Sequence, residues 1–250
     1  MVARGDLGVE VSVEQVPLIQ RNMIEKGHAE GKIVIIATQM LESMIENITP
    51  TRAEVSDIAN AVLDGADAIM LSGETAIGEY PVKVVEMMSK IALTIEPSIN
   101  YKKMFNRITK KPSDDRSARA VAISTAQCVE SLPIVSIISP SMSGYTAKLL
   151  SQFRPKCLIL ALVRSENVAR SLALNWGVFP TIMGTEITSF EHMVHYGVEH
   201  VMKFKDSLNH LGDRVIVTAG LPFGKTTSQT NTMKIVKFKD KKEWLDEWNS

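Results

Sequence analysis

Cysteine is almost missing from this chain: two residues in 250, Cys128 and Cys157. Both sit in apolar surroundings without metal-ligand spacing, which argues against a disulfide framework and reads as a pair of buried thiols in a reducing compartment. Net charge is missing too, because 28 Lys and Arg offset 28 Asp and Glu. Nothing in that balance recommends nucleic acid or a membrane surface as partner. No apolar run approaches membrane-spanning length, and the N-terminus lacks both the charged and the apolar region of a signal peptide. The expected location is the cytoplasm. What the chain does have is core material: 45% of its residues are hydrophobic, enough for one large domain or two ordinary ones, and its 13 methionines read as core filler.

Three short apolar runs organise the first hundred residues. Met1-Val2-Ala3 stops at Arg4-Gly5-Asp6, Ile33-Val34-Ile35-Ile36-Ala37 stops at Thr38-Gln39, and Ala66 to Leu71 stops at Ser72-Gly73-Glu74. Each is followed by a stretch of helical period, so they read as buried parallel strands in β-α units. Asp6, Thr38 and Glu74 then emerge from one edge of one sheet, the edge at which α/β sheets and barrels bind ligands. Between the runs, Val13, Val16, Ile19, Met23 and Ile24 form one helical face, with Ser12 as N-cap. A short helix covers Met40 to Ile45. Thr51 with Glu54 three residues on fits a capping box for a helix that ends at Gly65, with Val55, Ile58, Ala59 and Val62 inward. Pro81 opens a third helix with Val84, Val85, Met88, Ile91, Ala92 and Ile95 in a stripe. The first run has only three residues before its edge, against roughly 5 or 6 in an ordinary strand. The expectation is that the chain begins inside a strand whose sheet partners lie upstream.

From residue 98 to 115 the period is lost and lysines cluster, a solvated linker. Residues 116–240 return to alternation: helix Arg116 to Glu130, strand Pro133 to Ser139, helix Thr146 to Phe153, strand Leu158 to Val163, helix Asn167 to Trp176, strand Val178 to Met183, helix Ser189 to Phe204, and strands Arg214 to Ala219 and Thr232 to Phe238. Crossover helices imply a separate α/β domain with a mostly parallel five-stranded sheet. The charged tail, 241–250, carries Trp244 and Trp248.

Candidate chemistry is sparse. Arg4-Gly5-Asp6 offers a backbone approach to an anion and a hard oxygen donor, and Thr38 joins it only through the shared edge. Ser141-Met142-Ser143-Gly144-Tyr145-Thr146 joins a strand to a helix through hydroxyls and a glycine, a pattern that suits either a phosphate site or an ordinary N-cap loop. Gly220 to Thr227 contains Gly-Lys-Thr, but its first glycine is one residue too close and no helix follows, so it is not a P-loop. His192 and His195 have helical spacing and no evident third ligand, so they read as a solvated face.

Met1 to Glu10, Ala37 to Met44, Pro50 to Glu54 and Ile69 to Ala76 together closely resemble pyruvate kinase, and so do Ser143 to Ala147, Phe153-Arg154-Pro155, Trp176 to Pro180 and Thr230 to Met233. The resemblance implies that residues 1–97 are the last three β-α units of a TIM-type (β/α)8 barrel and that 116–240 are the family's effector and assembly domain. It implies glycolytic phosphoryl transfer from phosphoenolpyruvate to ADP, giving pyruvate and ATP, with Mg2+ or Mn2+ and K+. Asp6 would ligate the metal, Gly5 would offer its N-H to the substrate carboxylate, and Thr38 would contact substrate and help deliver a proton. Ser141, Ser143, Gly144 and Thr146 would hold the phosphate of a sugar-phosphate or nucleotide effector, with part of the loop from Gly220 to Thr232 closing over it. A tetramer is implied for the full-length family. The family's catalytic lysine, its second metal ligand and its potassium ligands are expected upstream, so the 250 residues alone are expected to be inactive. The alternative is a non-catalytic sugar-phosphate-binding or assembly module.

Overall fold

The computed structural model describes residues 1–109, 117–184, 187–203, 212–222 and 229–237. The chain divides into two compact units, Met1–Asn100 and Tyr101–Ser250.

Unit 1 is a three-stranded parallel sheet in sequence order: β1 (Val2–Ala3), β2 (Ile35–Ala37) and β3 (Ala68–Met70). Register pairs Ala3 with Ala37 and Ala37 with Met70, so the residues just beyond them, Arg4, Thr38 and Leu71, leave one edge together. Helix α1 (Arg4–Glu10) starts directly at that edge, and α2 (Val16–Ala29) follows a single 3-10 turn over Val13–Gln15. The apolar face expected of this segment is displaced. Gln20, Ile24 and His28, at i, i+4 and i+8, are the buried residues of α2, while Val13 is 75% exposed and Met23 42%. Val13 lies outside the helix proper, and of the expected residues within it only Ile24 is fully buried. Ser12 caps the 3-10 turn without a side-chain hydrogen bond.

Helix α3 (Arg52–Asp64) has the capping box expected of it. Thr51 Oγ1 accepts from Glu54 N at 3.3 Å, and Glu54 Oε2 accepts from Thr51 N at 2.8 Å. Gly65 ends the helix in the left-handed region at φ 91, which glycine adopts without a Cβ clash. Ile58, Ala61 and Val62 are buried, with Val55 and Ala59 half-buried beside them. A short helix α4 (Gly73–Ala76) follows β3, and α5 (Pro81–Ile95) buries Val84, Met88 and Ile91. Val85, one residue round the helix from Val84, is 53% exposed rather than inward.

The stretch read as a polar linker contains a helix, α6 (Tyr101–Thr109), and the division between units falls before it. Met104 and Ile108, at i and i+4, are buried, and Ile108 and Phe105 pack on the core of unit 2. Met104, Phe105 and Ile108 are the apolar residues of an otherwise mostly polar helix, so its short apolar face is easily taken for part of a solvated linker.

In unit 2, α7 (Ser117–Ser131), β4 (Ile134–Pro140), α8 (Tyr145–Gln152), β5 (Leu158–Val163), α9 (Glu166–Leu172), β6 (Val178–Ile182), α10 (Phe190–Lys203), β7 (Arg214–Ala219) and β8 (Thr232–Lys237) form a five-stranded sheet of order β6-β5-β4-β7-β8. All pairs are parallel except β7 with β8. Strands β4, β5 and β7 are buried on both faces. One face carries Ile137, Ile159 and Ile216 under α7 and α8, the other Ile138, Leu160 and Val217 under α10. Gly197 lets α10 approach the sheet, since a Cβ there would lie 2.6 Å from Ile138 Cγ2. Cys157 is buried and Cys128 half-buried, and neither forms a disulfide. Burial pushes the Cys157 thiol up to about 12. The tail, 241–250, and residues 223–228 of the Gly-Lys-Thr loop lie outside the described residues. Among those described, no helix is long and apolar enough to cross a membrane.

Candidate functional site

At the C-terminal edge of the unit 1 sheet, the backbone of β2 does not simply turn away. Thr38 has φ 71 and Gln39 φ 53, two consecutive residues with side chains in the left-handed region. For a β-branched residue that conformation is an outlier, one that neighbouring contacts must enforce. It brings Thr38 Oγ1 to α1, where the Gly5 N-H donates to it at 2.9 Å, while the hydroxyl donates to Ala37 O at 2.6 Å. Gly5 lies in the first turn of α1, whose N-H groups have no partner within the helix, so its donor is free to bond across the edge. Asp6 is the next residue. Its carboxylate is exposed and has no hydrogen-bond or ion-pair partner among the described residues.

Gly5, Asp6 and Thr38 are thus brought together, and Glu74 closes the edge without being part of its open face. It is 1% exposed, and its carboxylate accepts from Leu41 N at 3.1 Å and from Ser72 N at 2.8 Å. Burial acts to raise its pKa, but the N-H groups of Ser72 and Leu41 outweigh it and hold the carboxyl below its ordinary value. Glu74 therefore ties the chain after β2 to the chain after β3. Glu54 does similar work one layer out, accepting from Ser43 N at 2.7 Å and Ser43 Oγ at 2.6 Å as well as from Thr51. Its pKa is likewise lowered, hydrogen bonds again outweighing desolvation.

Arg4 points inward. It donates to the carbonyls of Thr38 and Gln39 and to Asp57 on α3. Nothing in the sequence singles out Asp57; the only hint is its place beside the buried Ile58.

In unit 2, the loop from β4 to α8 places Ser141, Ser143, Gly144 and Thr146 around a helix start. Ser143 is exposed, and Gly144 takes φ 79 with the Leu172 side chain against the space a Cβ would fill. Thr146 and Thr230, both buried, share a hydrogen bond of 2.6 Å between their hydroxyls. Thr230 belongs to the segment after β7, which the Asn231 side chain pins to Leu221 through two hydrogen bonds. Sequence reading assigned nothing to Thr230 itself. His192 and His195, read as a solvated face, are half-buried on α10, and no group of three or more His, Cys, Asp or Glu suited to a metal occurs among the described residues.

Fold and site together define an α/β protein with two parallel-stranded sheets, one with an exposed carboxylate at its strand-end edge and one with hydroxyls at the start of the helix that follows β4. Family models agree in kind. Residues 1–85 match the pyruvate kinase barrel domain, and residues 119–236 match the pyruvate kinase alpha/beta domain. The chain belongs to the pyruvate kinase family. It is 46% identical over 235 residues to a pyruvate kinase of Sporosarcina psychrophila, covering 94% of this chain and 39% of that relative. A Geobacillus stearothermophilus pyruvate kinase is 45% identical with the same coverage, and one from Clostridium perfringens 42% identical over 95% of this chain and 49% of its own length. The chain thus spans less than half the length of these relatives.

Proposed function

We propose that these 250 residues are the closing part of a (β/α)8 barrel, its last three β-α units, joined to an effector and assembly domain. The enzyme so formed transfers phosphoryl from phosphoenolpyruvate to ADP, giving pyruvate and ATP. The observation that carries the reading is the convergence of an exposed carboxylate, Asp6, with the Gly5 N-H and the Thr38 hydroxyl at one sheet edge.

An exposed oxygen donor suits Mg2+ or Mn2+, and Asp6 would hold that ion. The metal would neutralise charge on the phosphoryl group and the enolate. No residue of this chain is assigned to K+. A substrate carboxylate reaching Gly5 takes over the N-H that Thr38 Oγ1 now accepts, which frees a lone pair on the hydroxyl beside the reacting carbon. Thr38 is then the catalytic residue of this reading: its hydroxyl proton leaves Ala37 O for the enolate carbon while the freed lone pair takes a replacement proton from water. One carboxylate is a small part of a divalent ion's coordination sphere, so the 250 residues alone are silent. In unit 2, Ser141, Ser143, Gly144 and Thr146 bind the phosphate of a sugar-phosphate or nucleotide effector, with Thr230 holding the facing loop. Exposed apolar side chains on unit 1, among them Val9, Leu18, Ile77, Val82 and Leu93, support burial in a homo-oligomer, a tetramer in the assembled enzyme.

The test replaces the matching part of the Geobacillus stearothermophilus relative with this chain. Turnover is expected from the chimera, none from the 250 residues alone, and Asp6→Asn should cut the chimera's turnover by about a hundredfold or more. A chimera whose turnover ignores Asp6→Asn sinks the assignment. Calorimetry of the chain with a sugar bisphosphate should show binding that Ser143→Ala or Thr146→Ala abolishes; silence toward every phosphate ligand counts against the effector site.

A further inference from the structure

Arg4 stands next to the Gly5-Asp6 pair, where a cation could meet an anionic ligand, but its side chain is turned into the protein. The side chain is 10% exposed, and each of its three nitrogens is already engaged. Nε donates to Thr38 O at 3.2 Å. Nη2 donates to the same carbonyl at 2.6 Å, to Gln39 O at 3.0 Å, and lies 2.8 Å from Met40 Sδ. Nη1 pairs with Asp57 Oδ2.

The two carbonyls that Arg4 holds belong to the two residues of unit 1 with side chains at positive φ. Left to itself, that stretch would relax toward ordinary extended or helical backbone, carrying Thr38 Oγ1 away from Gly5 N. A planar fork with donors in fixed directions can grip adjacent carbonyls at once, and Asp57 on α3 fixes the fork from behind. We infer that Arg4, oriented by Asp57, is a positioning residue: it holds Thr38 and Gln39 in the left-handed backbone that aims the Thr38 hydroxyl at the site, and it does not bind substrate. The inference rests on the reading of Thr38 as catalytic for its functional meaning, but its geometric half stands apart.

The geometric half is tested on the chain itself by residue-resolved amide hydrogen exchange. The Gly5 amide reports the contact with Thr38 Oγ1, and the Leu41 amide, held by Glu74, reports the integrity of the same edge. Arg4→Lys keeps the charge and loses the fork. It should raise Gly5 exchange roughly tenfold, the equivalent of one lost hydrogen bond, and leave Leu41 within about twofold. Asp57→Asn serves as the second variant and should move Gly5 in the same direction by less. Unchanged Gly5 exchange in both variants, or equal loss of protection at Gly5 and Leu41, overturns the inference. In the chimera, Arg4→Lys should lower kcat and leave KM for phosphoenolpyruvate within about twofold, whereas a phosphate-binding cation would raise KM. A chimera without turnover even before substitution refutes the phosphotransferase reading, and the exchange comparison still decides the role of Arg4.

Discussion

Replacing Glu74 with glutamine should destabilise unit 1 far more than the loss of one charge suggests. Both carboxylate oxygens of Glu74 accept backbone N-H groups, from Leu41 and Ser72, at a site with 1% exposure. Glutamine keeps the shape but can accept with only one atom. Its NH2 then meets the second N-H donor to donor, and water cannot enter to satisfy either. Weakening one charge-assisted bond costs about 1 kcal/mol and stranding a buried amide about 1–3 kcal/mol, so roughly 2–4 kcal/mol in all. That is a large share of the stability of a unit of 100 residues. Unit 1 contains no tryptophan, so urea unfolding followed by far-ultraviolet circular dichroism includes its helices, whereas tryptophan fluorescence has no emitter within it. The dichroism transition should shift to lower urea and the fluorescence transition should stay. The pH dependence has a fixed sign. Because the folded carboxyl titrates below its ordinary value of 4.5, its contribution is fully present above that pH and is lost as pH falls through the folded value. The gap between wild type and Glu74→Gln should therefore be widest near neutral pH and close in acid. A gap under about 0.5 kcal/mol at pH 7, or one that widens on acidification, would refute the reasoning.

Thr51→Ala removes the cap of α3 and should cost about 1 kcal/mol in the same urea assay, an effect absent if Glu54 alone secures the turn. Gly144→Ala forces a side chain into the left-handed region and against Leu172, 3.1 Å from the new Cβ. It should cost about 1–2 kcal/mol and weaken any phosphate bound at α8, and an unchanged fluorescence midpoint contradicts it. Thiol labelling at pH 8 should modify Cys128 well before Cys157, whose pKa near 12 leaves almost no thiolate. Equal labelling of both in the folded chain counts against that burial.

Much of the fold was legible because unit 2 obeys simple local rules. Leu158 to Val163 and Arg214 to Ala219 are short apolar runs buried on both faces, and their bounds follow from hydrophobicity alone. The box at Thr51 and Glu54 is a local device whose partners lie three residues apart, so it too is written in order along the chain. Failures came where a side chain's surroundings are set from far away. Val85 and Met23 are apolar and near the expected face, yet they stay 53% and 42% exposed, because exposure follows from tertiary neighbours rather than from period. In α6 the apolar face is short: Ile108 and Phe105 dock on a core supplied by Phe153, Ala118 and others, which a window over 98–115 cannot see.

The site divides along the same line. That Asp6, Thr38 and Glu74 share an edge follows from three similar runs and parallel pairing. That Thr38 faces Gly5 does not, because it depends on two non-glycine residues at positive φ, and no residue in Ala37-Thr38-Gln39-Met40 announces such a turn. A glycine there would have been visible in sequence and would have needed no enforcement. Threonine needs it, and Arg4 and Glu74 bear on the same stretch from opposite ends, through carbonyls at 38 and 39 and an N-H at 41. Strain of this kind persists only where neighbours over-determine it. The residues that hold the hydroxyl in place, Arg4 and Glu74, are therefore charged, inward-facing and 34 and 33 positions from the backbone groups they bind, so no local pattern pairs them with that stretch.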